Sequence, residues 1–465
     1  MTDRARTIFA LSVLFAINTL NFFDRQVFGA IAEPVRKEWG LSDSAIGLVG
    51  TAFTLVYAAV GLPLGSLTDK IARKKILSAG VFVWSILTAA SGLAMSYWQL
   101  FVMRLGVGVG EATCAPAATS LIGDIYPADK RSKALSVFML GLPVGIALSY
   151  AISGSVAQAY GWRAAFYIAG IPGLICTLAV LFIHEPKRGA AEIHDIGARK
   201  REGSSYKLVL SIPTMWWIIA SGALQTFNMY AIGQFLTPFL MRYHNQDIRT
   251  AGLTTMIVFG LSGIPGLLLG GVIGDAVMKR RDNGRLLTAS LSLLASVPLI
   301  FFALTQPPSE TLIFIILMSA GVALMNIYYA TVYPAIQDVI EPSLRGTAMS
   351  IYFFAMYVLG AALGPLGTGL ASDFFTARAA SASGVVEITQ KTLEPFRAQG
   401  LHSAMYIIPA LGCLLTLVLF ASSRTVKKDM ERLRNWMSQS ASQSDSTNEE
   451  LIPGAEDAQV IAVSK

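Results

Sequence analysis

Twelve apolar runs, each close to 20 residues or longer and separated by polar stretches, occupy most of this 465-residue chain. They fall at roughly 8–31, 45–67, 76–95, 98–122, 133–158, 163–184, 213–241, 251–274, 286–305, 311–337, 347–372 and 401–423. A helix that crosses a bilayer needs about 20 apolar residues, so each run fits that thickness. The runs are continuous and do not alternate with period two, which argues against a barrel. Without water to satisfy backbone groups, helices remain as the spanning element. Only 14% of residues are charged, where a soluble domain needs about a quarter to cover its surface. The expectation is an all-α membrane protein with 12 transmembrane helices.

The chain also repeats itself. Gly65-Ser66-Leu67-Thr68-Asp69 leads to Arg73 and Lys74, and Gly271-Val272-Ile273-Gly274-Asp275 leads to Lys279, Arg280 and Arg281. Glycine, acid and first base keep one spacing in both copies. A second echo joins Asp124 to Arg131 and Asp338 to Arg345, each pair seven residues apart and each opening a Gly-rich run. Duplication inside an apolar chain points to two pseudo-symmetric six-helix bundles of a transporter. The expected division is a first bundle at 1–184, a cytoplasmic linker at 185–212, a second bundle at 213–423 and a largely disordered cytoplasmic tail at 424–465. The largest outer loop is expected near 374–400.

Net charge of +7 raises the question of nucleic acid, but the placement of the bases answers it. With a cytoplasmic N-terminus, about 26 of the 36 lysines and arginines lie on the cytoplasmic side and about 8 outside. The excess is therefore an orientation signal in an inner membrane, with both termini cytoplasmic, and no nucleic-acid partner is expected. Cys114, Cys176 and Cys413 all fall in apolar runs and read as small core residues, not disulfides or metal ligands. The first run follows Arg4 and Arg6 as a signal peptide would, but it lacks a small-residue cleavage site and reads as helix one. Gly106-Val107-Gly108-Val109-Gly110 lacks the preceding strand and following GK[ST] of a phosphate loop. With no nucleotide site, no cofactor and no catalytic or metal centre, the chain is not expected to be an enzyme. Its energy source is an ion gradient or the solute's own gradient.

Ionisable groups inside spans are costly and mark function. The first half holds four: Asp24, Arg25, Arg104 and Glu111. Arg104 and Glu111 are seven residues apart, on one helix face and separated by roughly 10 Å. Asp24 lies about 24 Å from the inner end of its run, and Arg104 about 9 Å inside the outer end of its own. Across a ~30 Å core these depths nearly coincide, so Asp24 and Arg104 are placed to pair, with Glu111 nearer the midplane. A carboxylate whose arginine partner comes and goes binds and releases protons in step with the motion. Both arginines also offer bidentate sites to a phosphate or carboxylate. The alternative is that helix one ends at Phe23, with Asp24 and Arg25 at the interface and Arg104–Glu111 a structural pair. Sixteen residues from Ile8 to Phe23 span only about 24 Å, which favours continuation. The second half offers uncharged groups: Gln225, Asn228, Tyr230 and Gln234 in one run, Asn326, Tyr328, Tyr329 and Tyr333 in another. They read either as helix glue or, with Arg25 and Arg104, as a cavity charged on one wall and greasy on the other. Such a cavity suits an amphiphile with an ionic head.

With these residues in view, the chain resembles the major facilitator superfamily. The resemblance rests on Gly65…Asp69…Arg73-Lys74 and on Arg104-Leu105-Gly106-Val107-Gly108 through Ala112. It is similar more specifically to bacterial spinster-family lipid transporters, through Asn21-Phe22-Phe23-Asp24-Arg25, Gly108-Val109-Gly110-Glu111-Ala112, Asp124 to Ser136 and Leu142-Pro143-Val144-Gly145. That resemblance implies transport of lysophospholipids or phosphorylated sphingoid bases by alternating access, with protons as the coupling ion. It makes Asp24 and Glu111 the protonation sites and Arg25 and Arg104 their partners. It also implies a cytoplasmic gate of Gly65, Asp69, Arg73, Lys74, Asp124 and Arg131, mirrored by Asp275, Asp338 and Arg345. Proton-coupled symporters of sugar acids and other organic anions share the Asn-x-x-Asp-Arg and Gly-Glu-Ala steps and remain the alternative. A non-transporting receptor or scaffold is the reading from another class. The expected partners are a lipid or amphiphilic anion and the bilayer, with the chain acting as a monomer.

Overall fold

The structure, a computed structural model, describes residues 3–68, 70–186, 205–341 and 344–450. The first half begins with α1 (Asp3–Trp39), α2 (Asp43–Thr68) and α3 (Arg73–Ser91). It continues with α4 (Tyr97–Glu111), which turns at Ala112-Thr113 into α5 (Cys114–Ile125), then α6 (Ala128–Met139), α7 (Gly141–Tyr160) and α8 (Trp162–Leu181). A short α9 (Ser205–Leu210) precedes the second half. That half comprises α10 (Pro213–Arg242), α11 (Ile248–Thr255), α12 (Gly263–Met278), α13 (Gly284–Leu304), α14 (Thr311–Asp338), α15 (Arg345–Ala355) and α16 (Leu363–Ala382). It closes with α17 (Gln390–Leu393), α18 (Arg397–Met405) and α19 (Ile407–Glu450). Where α4–α5, α6–α7, α11–α12, α15–α16 and α18–α19 each join into one rod, every half contains six rods. Ten rods have the length and apolarity to cross a membrane. The other two, α3 and α10, are 19 and 30 residues long.

Three boundaries differ from the sequence reading. Helix α1 runs on to Trp39, because Glu33, Arg36 and Lys37 sit at i, i+3 and i+4 and pair along the helix, Arg36 Nη2 at 2.9 Å and Lys37 Nζ at 3.7 Å from Glu33 Oε1. The loop near 374–400 is partly helical, since α16 continues to Ala382 and α17 and α18 follow. The tail expected to be largely disordered at 424–465 continues α19 to Glu450, and 451–465 lie outside the described residues, as do 187–204 of the linker.

The described residues begin, at the start of α1, and end, in α19, on one side, here called the terminal face; the opposite side is the distal face. The halves meet through small residues. A Cβ on Gly29 of α1 would stand 2.7 Å from the Gly233 carbonyl of α10, and one on Gly252 of α11 would stand 2.5 Å from the Tyr150 carbonyl of α7. Backbones this close exclude any side chain, which is how membrane helices pack without a hydrophobic drive.

Two π-helical turns interrupt the second half, Met256–Leu261 between α11 and α12 and Met356–Ala361 between α15 and α16. Both follow from proline. Pro265 and Pro365 have no N–H to return to the carbonyls of Leu261 and Ala361, and the ring crowds that position. The ladder adjusts by slipping one residue: Ser262 N donates to Ile257 O at 3.1 Å and Ala362 N to Tyr357 O at 2.9 Å.

Candidate substrate cavity and its charged network

Because α1 is continuous through its middle, Asp24 and Arg25 lie inside the bundle. Successive helical residues diverge by about 100°, so they point to different neighbours. Asp24, 1% exposed, turns toward α3 and α4: its Oδ1 accepts from Arg104 Nη1 at 2.8 Å, its backbone carbonyl from Nη2 at 3.1 Å, and its Oδ2 from the Thr88 hydroxyl. Arg25 turns toward the centre. Its Nε donates to Glu111 Oε2 at 2.9 Å, and its guanidinium lies 4.1 Å from the Tyr57 ring centroid and 5.1 Å from that of Phe22. The four residues thus form two separate ion pairs between α1 and α4, not one shared cluster. Glu111 Oε1 is buried with no hydrogen-bond partner.

Arg25 reaches the wall of a central cavity of about 430 Å³ between the halves. Among the described residues lining it, Arg25 alone carries a charge. Phe22, Phe53, Phe259 and Met356 supply apolar walls, while Tyr230, Gln234, Asn326, Tyr329, Tyr333 and Tyr357 bring hydroxyls and amides from the second half. The π-turns place Phe259 and Met356-Tyr357 on this wall. Two residues expected there are elsewhere. Arg104 is held behind α1 by Asp24, and Asn228 is fully buried, its amide donating to the Ile408 carbonyl at 3.3 Å and so binding α10 to α19. Gln225 is likewise helix glue, donating to Met325 O at 2.9 Å.

The distal face is locked by charge. Arg242, at the end of α10, donates through Nε to Glu33 Oε2 at 2.7 Å and bidentately to both Asp43 oxygens at 2.8 Å. Arg36 of the first half meets both Glu394 oxygens, at 2.6 and 2.9 Å, while Asp373 accepts from the backbone N–H groups of Asp43 and Ser44. Each contact crosses from one half to the other.

The terminal face is organised differently. Arg73 pairs with Asp124 and, at 3.2 Å, with Glu185 at the start of the linker, none of them in the second half. Lys74 contributes its backbone N–H to Glu185, and Gly65 lies in the last turn of α2. Asp69 falls outside the described residues. Arg131 is half-buried, its Nε without a hydrogen bond, and it makes no ion pair with Asp124. In the second half, Arg285 bridges Asp275 at 2.8 Å and Asp338 at 2.6 Å. Arg345, expected in that role, is exposed at the start of α15 and stands apart. No ion pair between described residues joins the halves at this face. Glu185, Arg285 and the distal lock escaped the sequence reading. Glu33-Arg36-Lys37 at helical spacing and the repeated Met-x-Val-x-Gly-x-x-x-x-Pro at 256–265 and 356–365 are the signals that carry the lock and the π-turns.

Two helical bundles, pinned at one end and enclosing a cavity with a single buried cation on its wall, define a membrane transporter. The Major Facilitator Superfamily profile matches residues 14–365, and the chain belongs to that superfamily. Among its relatives, the chain is 29% identical to the sphingosine-1-phosphate transporter SPNS2 of Danio rerio, over 80% of this chain and 77% of that protein. It is also 29% identical to an MFS-type efflux pump of Mycolicibacterium smegmatis, over 79% and 85% respectively. A crystal structure of a bacterial homologue of the human lysosomal transporter Spinster, inward-facing and unoccupied, superposes with a TM-score of 0.79 at 27% identity, covering 91% of this chain and 98% of that one.

Proposed function

We propose that the chain moves amphiphilic lipids of lysophospholipid or sphingoid-phosphate type by proton-coupled alternating access, as a monomer in the cell inner membrane with both termini cytoplasmic. The observation that supports this most is the cavity: one guanidinium for an anionic head, and aromatic and aliphatic walls for a tail. Arg25 is the head-group ligand in this reading. Glu111 is its resting counter-ion, with Oε1 available to carry a proton, and Asp24–Arg104 is the second protonation site and its partner. The similarity to a sphingosine-1-phosphate transporter is consistent with such cargo. Arg73–Asp124–Glu185 and Arg285–Asp275–Asp338 serve as braces that keep the terminal end of each bundle rigid as it rocks.

The second reading, a proton-coupled organic-anion symporter, draws on the same guanidinium, which recognises any carboxylate. Proteoliposomes with an imposed pH gradient, offered lysophospholipid and sugar acid side by side, separate the two. Gradient-driven uptake of lysophospholipid alone supports lipid transport, and uptake of the sugar acid alone overturns it.

A further inference from the structure

A second cavity, of about 440 Å³, lies at the terminal face on the outside of the first bundle. It is lined by Arg6 and Phe9 of α1, Lys74 of α3, and Leu181, Phe182 and His184 at the end of α8. We propose that it binds the phosphate head group of an anionic diacyl phospholipid, at a site distinct from the transport cavity and independent of what that cavity carries.

The chemistry of the lining selects this occupant. Three basic side chains converge there, Arg6 of α1, Lys74 of α3 and His184, three residues past the end of α8. Among the described residues, neither the Lys74 ammonium nor the His184 ring has an ion-pair or hydrogen-bond partner. The nearest acid in sequence, Glu185, is already engaged: it accepts from Arg73 Nε at 3.2 Å and from the backbone N–H groups of Arg73 at 2.7 Å and Lys74 at 3.4 Å. Positive charge is therefore left over at the mouth. Directly beyond it, α8 presents an apolar stripe to the outside, with Ile171, Ile175, Leu178 and Phe182 exposed by 54, 67, 61 and 78%. Their spacing of four, three and four puts them on one face of the helix. A phosphate at the basic mouth thus leaves an acyl chain lying along that stripe, the geometry of a lipid in a bilayer leaflet. A free phosphate uses the bases and leaves the stripe without a role. Basic pockets between helices at this level are known to suit anionic head groups. A bound lipid ties together the start of α1, the start of α3 and the end of α8, beside the Arg73–Asp124–Glu185 brace.

The test is native mass spectrometry of the full chain in detergent, titrated with palmitoyl-oleoyl phosphatidylglycerol or the matching phosphatidylcholine, with inorganic phosphate as competitor. Each cation near a membrane surface contributes about fivefold to binding, so a preference for phosphatidylglycerol on the order of fivefold is expected from Lys74. R6Q/K74Q/H184Q should abolish the preference, K74Q alone should lower it about fivefold, and the charge-preserving R6K/K74R should keep it. Should the triple variant misfold, K74Q carries the test. R25Q should leave the preference intact, which separates this site from the transport cavity. The proposal is overturned if the triple variant retains the preference, if R25Q removes it, or if millimolar inorganic phosphate displaces the lipid completely.

Discussion

Arg242 is the residue whose removal should most change the balance between conformations. Its guanidinium makes three hydrogen bonds of 2.7–2.8 Å to Glu33 and Asp43, which are 1% and 0% exposed. Breaking a buried pair by deleting one partner costs about 3–5 kcal/mol, because the charge left behind is uncompensated. Here the loss is softened: Glu33 keeps Arg36 at 2.9 Å, and Asp43 keeps the Ser372 hydroxyl at 2.6 Å and Arg397 at 3.8 Å. About 2 kcal/mol is a reasonable remainder, and it falls on the state in which the distal ends touch. In Arg242→Ala the ratio of distal-open to distal-closed molecules should therefore rise about 30-fold. Arg242→Lys should lie between, since an ammonium has no bidentate fork. Spin labels at Met95 and Val386, exposed by 84 and 97% on the distal side of the two halves, would report the change as a longer distance component, after replacement of the three native cysteines. A folded Arg242→Ala protein with an unchanged distance distribution would refute the assignment of the lock.

Asp24→Asn should remove the pH dependence of that same distance distribution and impair gradient-driven uptake; titration curves that superimpose on wild type would return Asp24–Arg104 to a structural role. Arg285→Gln, which strips two carboxylates of their shared base, should destabilise the second bundle by about 1 kcal/mol given partial exposure, whereas Arg345→Gln should be neutral in the same thermal unfolding assay. Cysteines placed at Lys70 and Arg281 should react with a membrane-impermeant maleimide only after permeabilisation of cells; labelling from outside would reverse the orientation proposed.

The helices were legible because each apolar run carries its own instruction: the bilayer leaves a continuous run no other way to satisfy its backbone. The Asp24–Arg104 contact was legible from depth alone, since both residues are fixed on rigid rods of known rise. The distal lock was not. Glu33, Asp43 and Arg242 each sit at the margin of a run, where charge ordinarily means solvent, and Arg242 is 209 residues from Glu33. Only the packing of one half on the other turns those margins into an interior. Arg285 was hidden by a change of length within the repeat. In the first half the arginine opening the next helix is Arg73, four residues after Asp69. In the second, α12 extends to Met278 and α13 starts at Gly284, so the equivalent base is Arg285, ten residues after Asp275. Both then reach an acid at the end of a later rod, Asp124 or Asp338. Matching the repeat by residue count puts Lys279 opposite Arg73; matching it by helix position selects Arg285.

The two crossed pairs between α1 and α4 also bear on how the proposed coupling works. Arg25 is buried beside Glu111, and Tyr57 stacked at 4.1 Å keeps it in place whether or not that partner is charged. A proton on Glu111 Oε1 removes the negative charge opposite Arg25, and a lone guanidinium facing a cavity whose described lining holds no other charge is strongly unfavourable. An anionic head group restores the balance. Proton and anion are then alternatives only in the sense that the first makes room for the second: Glu111 neutralised, the anion becomes Arg25's partner. Binding of each favours binding of the other, as linkage requires. A cargo without negative charge gains nothing from the proton, because it leaves Arg25 unpaired in the protonated state. In the proposed mechanism a pH gradient therefore drives only those amphiphiles that bring an anion to Arg25, and the aromatic walls choose among them by tail.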